Sequence, residues 1–352
     1  VVGVVDSRPE PRVKLIIQIP CLNEESALPV TLSELPREVD GFDEVEWLII
    51  DDGSTDRTVE VARAHGVDHV VRFTQNKGLA VAFQAGLDAA LKLGADVIVN
   101  TDADNQYRAD DIPKLVAPII EHRADMVIGD RQVADHPEFS ASKKLLQRWG
   151  SWVVRQASET DVPDTTSGFR AYSREAALRM NVVSRFTYTL ETIIQAGKSD
   201  IAVTSVPIGV NGKVRPSRLF KSIPDYIKRS VGTIFRIYTM HEPLRVFSTL
   251  ASGIGLAGLA LFARFAYFFF TEDAPTGHVQ SLFVGGVLIL VAVQLFLLGI
   301  IGDLLRANRV ISERTLHRVR SIELALGVRP DSLASNPPKQ REGVAREGAA
   351  RE

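Results

Sequence analysis

Between Lys14 and about Asp130 the chain alternates short apolar runs with segments whose apolar residues recur at helical spacing. That is the pattern of repeated strand-helix-strand units and a largely parallel sheet. Leu15 to Ile19, Trp47 to Ile50, Val97 to Asn100 and Met126 to Ile128 read as strands, each short, rich in Ile or Val, and ended by polar or Gly residues. A weaker fifth strand lies at His69 to Phe73. Helices fill the gaps: Asp56 is placed to cap one running to about Ala64, Gly78 opens another to Leu93, and Asp110 precedes a third with Pro113 in its first turn. Residues 140 to 210 read as a mixed α+β extension, with a basic helix from Ser142 to about Ala157 and a strand near Ile201 to Val206. The fold class is α/β with a mostly parallel central sheet. Ligands of such sheets sit beyond the carboxyl ends of the strands, where the acidic clusters of this chain fall.

The periodicity changes after residue 217. From 218 to 240, Leu219, Phe220, Ile223, Ile227, Val231, Ile234 and Ile237 recur at three- and four-residue steps with Lys221, Lys228, Arg229 and Arg236 between them. Such a basic amphipathic helix suits an anionic membrane surface, and a helix packed on the domain gives the same pattern. Val246 to Phe270 then runs 25 residues with Arg264 as its only charge, and Ser281 to Ile301 runs 21 with none. Both are long enough to cross a hydrocarbon core of roughly 30 Å. Eight Lys or Arg lie from Lys213 to Arg245 and five from Arg306 to Arg320, while the link from Thr271 to Gln280 holds Glu272 and Asp273 and no Lys or Arg. The positive-inside rule places both ends of the pair in the cytoplasm, with the protein in the inner membrane. Gly253, Ala257, Gly285 and Gly286 are expected to allow close helix approach, within one chain or between protomers, and Arg264 to snorkel or to face protein.

The expected organisation is an extension over 1–13, a catalytic domain over 14–217, an interface helix over 218–240, spans at 246–270 and 281–301, a cytoplasmic basic helix over 302–326 and a disordered tail over 327–352. The first thirteen residues hold no apolar core of signal-peptide length, so the first domain is expected to stay on the side where it is made. A net charge of -2, with no basic block interleaved with aromatics, argues against nucleic acid as a partner. Cys21 is the single cysteine, which excludes an internal disulfide framework and a multi-cysteine metal site.

The strongest chemical signal is Asp102-Ala103-Asp104-Asn105-Gln106, directly after the strand ending at Asn100. Two carboxylates at a strand end suit a divalent cation that bridges a diphosphate. A lone Asp-x-Asp is also a common solvated turn. Its companions are Pro20-Cys21-Leu22-Asn23-Glu24-Glu25 after the first strand and Asp51-Asp52-Gly53-Ser54-Thr55-Asp56 after the second. Asn23 and Asp56 read as helix caps and Gly53 as a turn residue, while Glu24 and Asp52 sit where a sheet edge meets a base and ribose. Asn76-Lys77-Gly78 offers a cation at a helix start. No Gly-x-Gly-x-x-Gly follows the first strand, so a nicotinamide dehydrogenase is excluded.

With Arg131 after the fifth strand, Ser167-Gly168-Phe169-Arg170, and the basic loop Arg215-Pro216-Ser217-Arg218 before the apolar helices, these motifs resemble those of inverting family 2 glycosyltransferases of the GT-A fold. Specifically, they resemble those of polyprenyl-phosphate sugar transferases such as dolichyl-phosphate mannose synthase. The resemblance runs from about Lys14 to Arg218. It implies a GT-A nucleotide-sugar-binding sandwich in which Asp52 and Glu24, with Pro20 and Asn23 in the same loops, hold the nucleoside. It further implies that Asp102 meets the sugar nucleotide, that Asp104 and Gln106 hold Mg²⁺ or Mn²⁺, and that Lys77, Arg131, Arg215 and Arg218 handle phosphates. Leu22, Asn105 and Arg215 to Arg218 depart from the family pattern, leaving base, sugar and acceptor open.

A phosphate acceptor is largely ionised at neutral pH and needs no strong general base. It needs charge management, expected from Arg131, Lys144, Arg148, Arg170 and Arg215. A lipid hydroxyl acceptor would need a base, for which Glu191 in Thr187-Tyr188-Thr189-Leu190-Glu191 is the candidate, with an ordinary helix-start carboxylate as its other reading. A processive polysaccharide synthase is disfavoured by having two spans and by the spacing of Gln147-Arg148-Trp149. A non-catalytic membrane scaffold retaining the fold is the alternative from another class. A homo-oligomer through the transmembrane and interface helices is a further expected association.

Overall fold

A computed structural model describes residues 13–132, 154–155, 158–183, 188–199, 201–211, 223–271 and 278–330. Seven strands form one sheet: β1 (Lys14–Cys21), β2 (Glu44–Asp51), β3 (His69–Arg72), β4 (Val97–Asn100), β5 (Met126–Asp130), β6 (Arg170–Ser173) and β7 (Val203–Pro207), in the order β3-β2-β1-β4-β6-β5-β7. All neighbours are parallel except at β6, which runs antiparallel between β4 and β5. β6 is the strand that periodicity misses. Its four residues directly continue the Ser167-Gly168-Phe169 turn and have no run of branched side chains to mark them.

Strand alternation sends successive side chains to two different cores. Ile16, Leu48, Ile50 and Ile98 pack on one face against α3 (Leu79–Lys92), α5 (Arg174–Arg179) and α6 (Thr189–Lys198). Leu15, Ile17, Trp47 and Val99 pack on the other against α1 (Leu28–Glu34), α2 (Thr58–Ala64) and α4 (Ile112–Ile120). Both faces of the inner strands are thus dry, which is why they read as continuous apolar runs.

Beyond the sheet, α7 (Ile223–His241) leads into α8 (Pro243–Thr271) and α9 (Val279–Ala325). The amphipathic helix divides its apolar residues: Ile237 is buried, with Ile234 and Tyr238 packed on the domain core, while Val231 and Phe235 are exposed. Its last turns therefore dock on the domain, and the reading of a helix lying wholly on a membrane is corrected for them. α8 and α9 are both long and apolar enough to cross a membrane and expose most of their apolar side chains, Phe270 by 83% and Phe283 by 72%. They cross where Gly258 meets Gly285: a Cβ on Gly258 would lie 3.0 Å from the Gly285 carbonyl oxygen. Gly253 and Gly286 face open space, so of the expected small residues Gly285 makes the crossing and Gly258 joins it unforeseen. Arg264 is exposed, its guanidinium 5.9 Å from the Phe268 ring.

Candidate active site

The carboxyl ends of β1, β2, β4 and β5 and the start of the antiparallel β6 lie along one edge of the sheet, with Asn100 in register with Arg170. Every motif singled out from the sequence within the described residues reaches that edge or the loops behind it. Most of the basic helix, including Lys144 and Arg148, and the loop carrying Arg215 and Arg218 lie outside the described residues.

The first three loops are laced together. Asn23 has a positive φ of 55°, its backbone N–H donates to Ser54 Oγ at 2.9 Å, and its Oδ1 accepts from the Thr55 N–H at 2.8 Å. The helix-cap reading of Asn23 is therefore corrected: it clamps the β1 loop to the β2 loop. The Glu24 N–H donates to Thr58 Oγ1 at 2.8 Å, and Asp56 accepts from the Thr58 N–H at 3.0 Å, at the start of α2. Asp52 is buried and accepts from the backbone N–H groups of Lys77 at 2.7 Å and Gly78 at 2.9 Å, one on each oxygen. The carboxylate thus binds the two N–H groups that immediately precede α3, at the positive end of the helix dipole. Gly53, at φ 77°, lets this loop touch the next: a Cβ there would lie 2.6 Å from the Gln75 carbonyl carbon. Lys77 is exposed at the α3 start, its ammonium 4.5 Å from the Phe73 ring centre. Pro20 is the last residue but one of β1, in register with Ile50.

The Asp102–Gln106 loop is held from both sides. Thr31 Oγ1 donates to the Ala103 carbonyl at 2.8 Å, and past β7 the Asn211 N–H donates to the Gln106 carbonyl at 2.9 Å. Asp104 Oδ1 accepts from the Gln106 N–H at 3.2 Å, so the two expected metal ligands share one tight turn. Asp102 lies against Gly168, where a Cβ would come within 3.2 Å of both its carboxylate oxygens, and it is hydrogen-bonded to Tyr107. The Tyr107 hydroxyl in turn accepts from the Gly168 N–H at 2.9 Å. Burial, followed by the neighbouring charge of Asp104, pushes the Asp102 carboxyl up to about 7.

That shift has a definite sign. With a folded-state value of about 7 against 3.8, folded protein binds the proton more tightly, so wild-type stability falls as pH rises between those values. Asp102→Asn removes the charge and is expected to stabilise the protein by up to about 4 kcal/mol at pH 8 and negligibly at pH 4. Urea unfolding at the two pH values checks this.

A buried polar chain, not foreseen from the sequence, underlies the loop. Gln18 Nε2 donates to Asn100 Oδ1 at 2.9 Å, and Asn100 Nδ2 donates to the Gly168 carbonyl at 2.8 Å and the Tyr188 hydroxyl at 2.9 Å. Gln18 sits inside an apolar strand and Asn100 ends one, so single-residue polarity in those runs was their only signal.

Two arginines expected at phosphates have protein partners in this structure. Arg170 is fully buried and donates to the carbonyls of Thr165, Ser167 and Thr189 and to Thr192 Oγ1, at 2.7–3.0 Å. Its expected substrate contact is corrected: it braces the turn into β6. Arg131 forks onto Asp164 at 2.7 and 3.0 Å and reaches Thr166 Oγ1 at 2.8 Å. Although burial raises the Asp164 carboxyl, Arg131 holds it below the usual carboxylate range. Glu191, buried in the first turn of α6, accepts from the Val183 N–H at 2.9 Å.

Residues 16–179 match the family described as Glycosyl transferase family 2. Glycosyltransferase AglJ of Haloferax volcanii is 30% identical over 298 residues, 82% of this chain and 92% of its own length. The undecaprenyl-phosphate mannosyltransferase of Micrococcus luteus is 28% identical over 205 residues, 55% of this chain and 82% of its own. Among solved structures, glucosyl-3-phosphoglycerate synthase from Mycobacterium tuberculosis, in complex with Mn²⁺, UDP-glucose and phosphoglyceric acid, has a TM-score of 0.50 at 21% identity. The match covers 65% of this chain and 79% of that one, a likeness of fold.

Proposed function

This chain belongs to glycosyl transferase family 2, and we propose that it moves a sugar, with inversion, from a nucleoside diphosphate sugar to a membrane polyprenyl phosphate. The observation that carries this reading is the continuity, in one chain, of the Asp102–Gln106 loop at the sheet edge with two exposed apolar helices long enough to cross a membrane. Relatives named undecaprenyl-phosphate mannosyltransferase and polyprenol monophosphomannose synthase support the acceptor class.

The residues present fit a hard divalent cation. Asp102 and Asp104 supply paired carboxylate oxygens, held close at the cost of a raised Asp102 carboxyl, and Gln106 closes the same turn. Among the described residues no three His, Cys, Asp or Glu side chains converge as a self-contained metal site. Asp104 and Gln106 are the residues that would hold the cation. Bound Mg²⁺ or Mn²⁺ supplies charge neutralisation for the departing nucleoside diphosphate. The protein's share is positional: Tyr107 and Gly168 fix Asp102 beside the sugar nucleotide, and the clamped Pro20–Glu24 and Asp52 loops form the nucleoside wall. Asp52 reaches the base through lone pairs left over from the Lys77 and Gly78 bonds, and Arg131 meets phosphate through the N–H groups that Asp164 and Thr166 leave.

An ionised lipid phosphate attacks the anomeric carbon without a base. The engagement of Glu191 on Val183 favours this acceptor over a lipid hydroxyl, for which Glu191 would have to be available as a base. Lys144, Arg148, Arg215 and Arg218 bring the acceptor phosphate to the donor against charge repulsion. Losing one charge-assisted phosphate contact costs roughly 1.5–3 kcal/mol, so Arg215→Ala lowers acceptor-dependent turnover about tenfold to a hundredfold. Donor affinity changes much less. Wild-type kinetics with a short-chain polyprenyl phosphate in detergent would refute this placement.

The basic flanks and acidic link set the proposed topology, with the catalytic domain and the end of α9 in the cytoplasm. A Thr276→Cys variant reacts with an impermeant thiol reagent from outside intact cells. Protection there, with exposure of the residues after α9, would invert the arrangement.

A further inference from the structure

α9 does not end at the membrane. It continues as one helix to Ala325, and its last turns return to the catalytic domain. Arg320 Nη1 donates to the carbonyls of Leu178 at 3.1 Å and Met180 at 2.8 Å, where α5 runs out and its last acceptors lack helical partners. Glu323 lies 3.5 Å from Lys92 at the end of α3, and Leu324 packs on the core that α3, α5 and α6 share. These contacts fall on consequential elements. Just before the other end of α3 lie Lys77 and Gly78, whose N–H groups Asp52 binds. Val183, three residues beyond Met180, donates its N–H to Glu191 in the first turn of α6, and the hydroxyl of Tyr188, at the start of that helix, meets Asn100 beneath the Asp102 loop.

We infer that Arg320 is a positioning residue: it clamps a continuous strut, α9, onto the catalytic domain and so sets the height and tilt of the active-site edge over the membrane. This rests on the proposed transfer to a lipid acceptor. From Ile301, where the uncharged run ends, to Arg320 the helix rises roughly 28 Å at 1.5 Å per residue, enough to hold the domain clear of the surface. A second connection, through α7 and α8, meets the same core at other residues, with Ile237 buried in it and Lys198 of α6 3.2 Å from Glu242. Two connections suppress the rocking that one hinge would allow. A reacting oxygen carried by a membrane-bound lipid gains from that restraint, because small misplacement costs large factors in rate. An acceptor free to diffuse gains little.

The test uses full-length protein and the variants Arg320→Ala and Arg320→Lys. In nanodiscs holding a long-chain polyprenyl phosphate, Arg320→Ala lowers turnover about tenfold or more, while a short-chain polyprenyl phosphate in detergent is used within about twofold of wild type. Arg320→Lys keeps one carbonyl bond and falls between. Spin labels on Glu60→Cys and Arg314→Cys, both exposed, report the strut directly, since the native Cys21 is buried. Their pulsed-resonance distance distribution is narrow in the parent and broad with Arg320→Ala. Equal losses in both acceptor formats, or unchanged turnover with a narrow distribution, would overturn the inference. Absence of transfer by wild type in either format would instead defeat the acceptor reading, and the distance measurement still tests the clamp.

Discussion

Asp104→Ala lowers sugar transfer at least about a thousandfold and leaves the fold intact. The magnitude follows from the role: a carboxylate that holds the cation neutralising the departing diphosphate contributes several kcal/mol to the transition state, and about 4 kcal/mol is a factor of a thousand. The intact fold follows from the geometry. The loop is fastened by its backbone, through Thr31 on Ala103 and Asn211 on Gln106, and among the described residues the Asp104 side chain contributes only the bond from the Gln106 N–H. Gln106→Ala is milder, because an amide brings no charge. Turnover and Mn²⁺ binding in the presence of a nucleoside diphosphate read the result. Wild-type turnover of Asp104→Ala with Mg²⁺ or Mn²⁺ present would remove the metal assignment.

Arg170→Met unfolds the catalytic domain or destabilises it by about 3–5 kcal/mol. The guanidinium is wholly enclosed, and its removal strands three carbonyls, those of Thr165, Ser167 and Thr189, with no water to replace the lost donors. Arg170→Lys does not restore stability, since one ammonium cannot reproduce a planar fork bonded in four directions. Denaturant titration decides between this and the acceptor role that sequence suggested. A folded variant of normal stability with a raised acceptor KM would return Arg170 to the substrate.

That arginine shows where sequence reading stops. A charged residue beside a glycine turn at the end of a motif looks like a ligand, and only the third dimension reveals that β6 buries it between β4 and β5. The parallel strands were legible because both their faces are buried, so their runs of Ile and Val stand out. β6 was not, because four residues carry too few positions to display a period. Asp102 and Asp104 were legible from spacing after a strand. Tyr107, Tyr188 and Asp164, which hold Gly168, Asn100 and Arg131 in place, were not, since these partners lie from 33 to 88 residues away in the chain. The apolar spans were plain from length and charge, and both lie within observed helices. The return of α9 to α5 is made by Arg320, one of five arginines in a basic stretch, and by His317, 3.4 Å from Glu175, and nothing in the pattern distinguishes either from its neighbours.

The central claim is transfer of a sugar from a nucleoside diphosphate sugar to a polyprenyl phosphate. Its most direct test incubates the purified full-length protein with radiolabelled nucleoside diphosphate sugars and a polyprenyl phosphate, with Mg²⁺ or Mn²⁺ and with chelator, and follows label into the organic phase. The account predicts metal-dependent, acid-labile lipid-linked label from at least one donor, absent with Asp104→Ala. Label that stays in the aqueous phase for every donor, or passes to lipid only when the acceptor carries a free hydroxyl in place of phosphate, would contradict it.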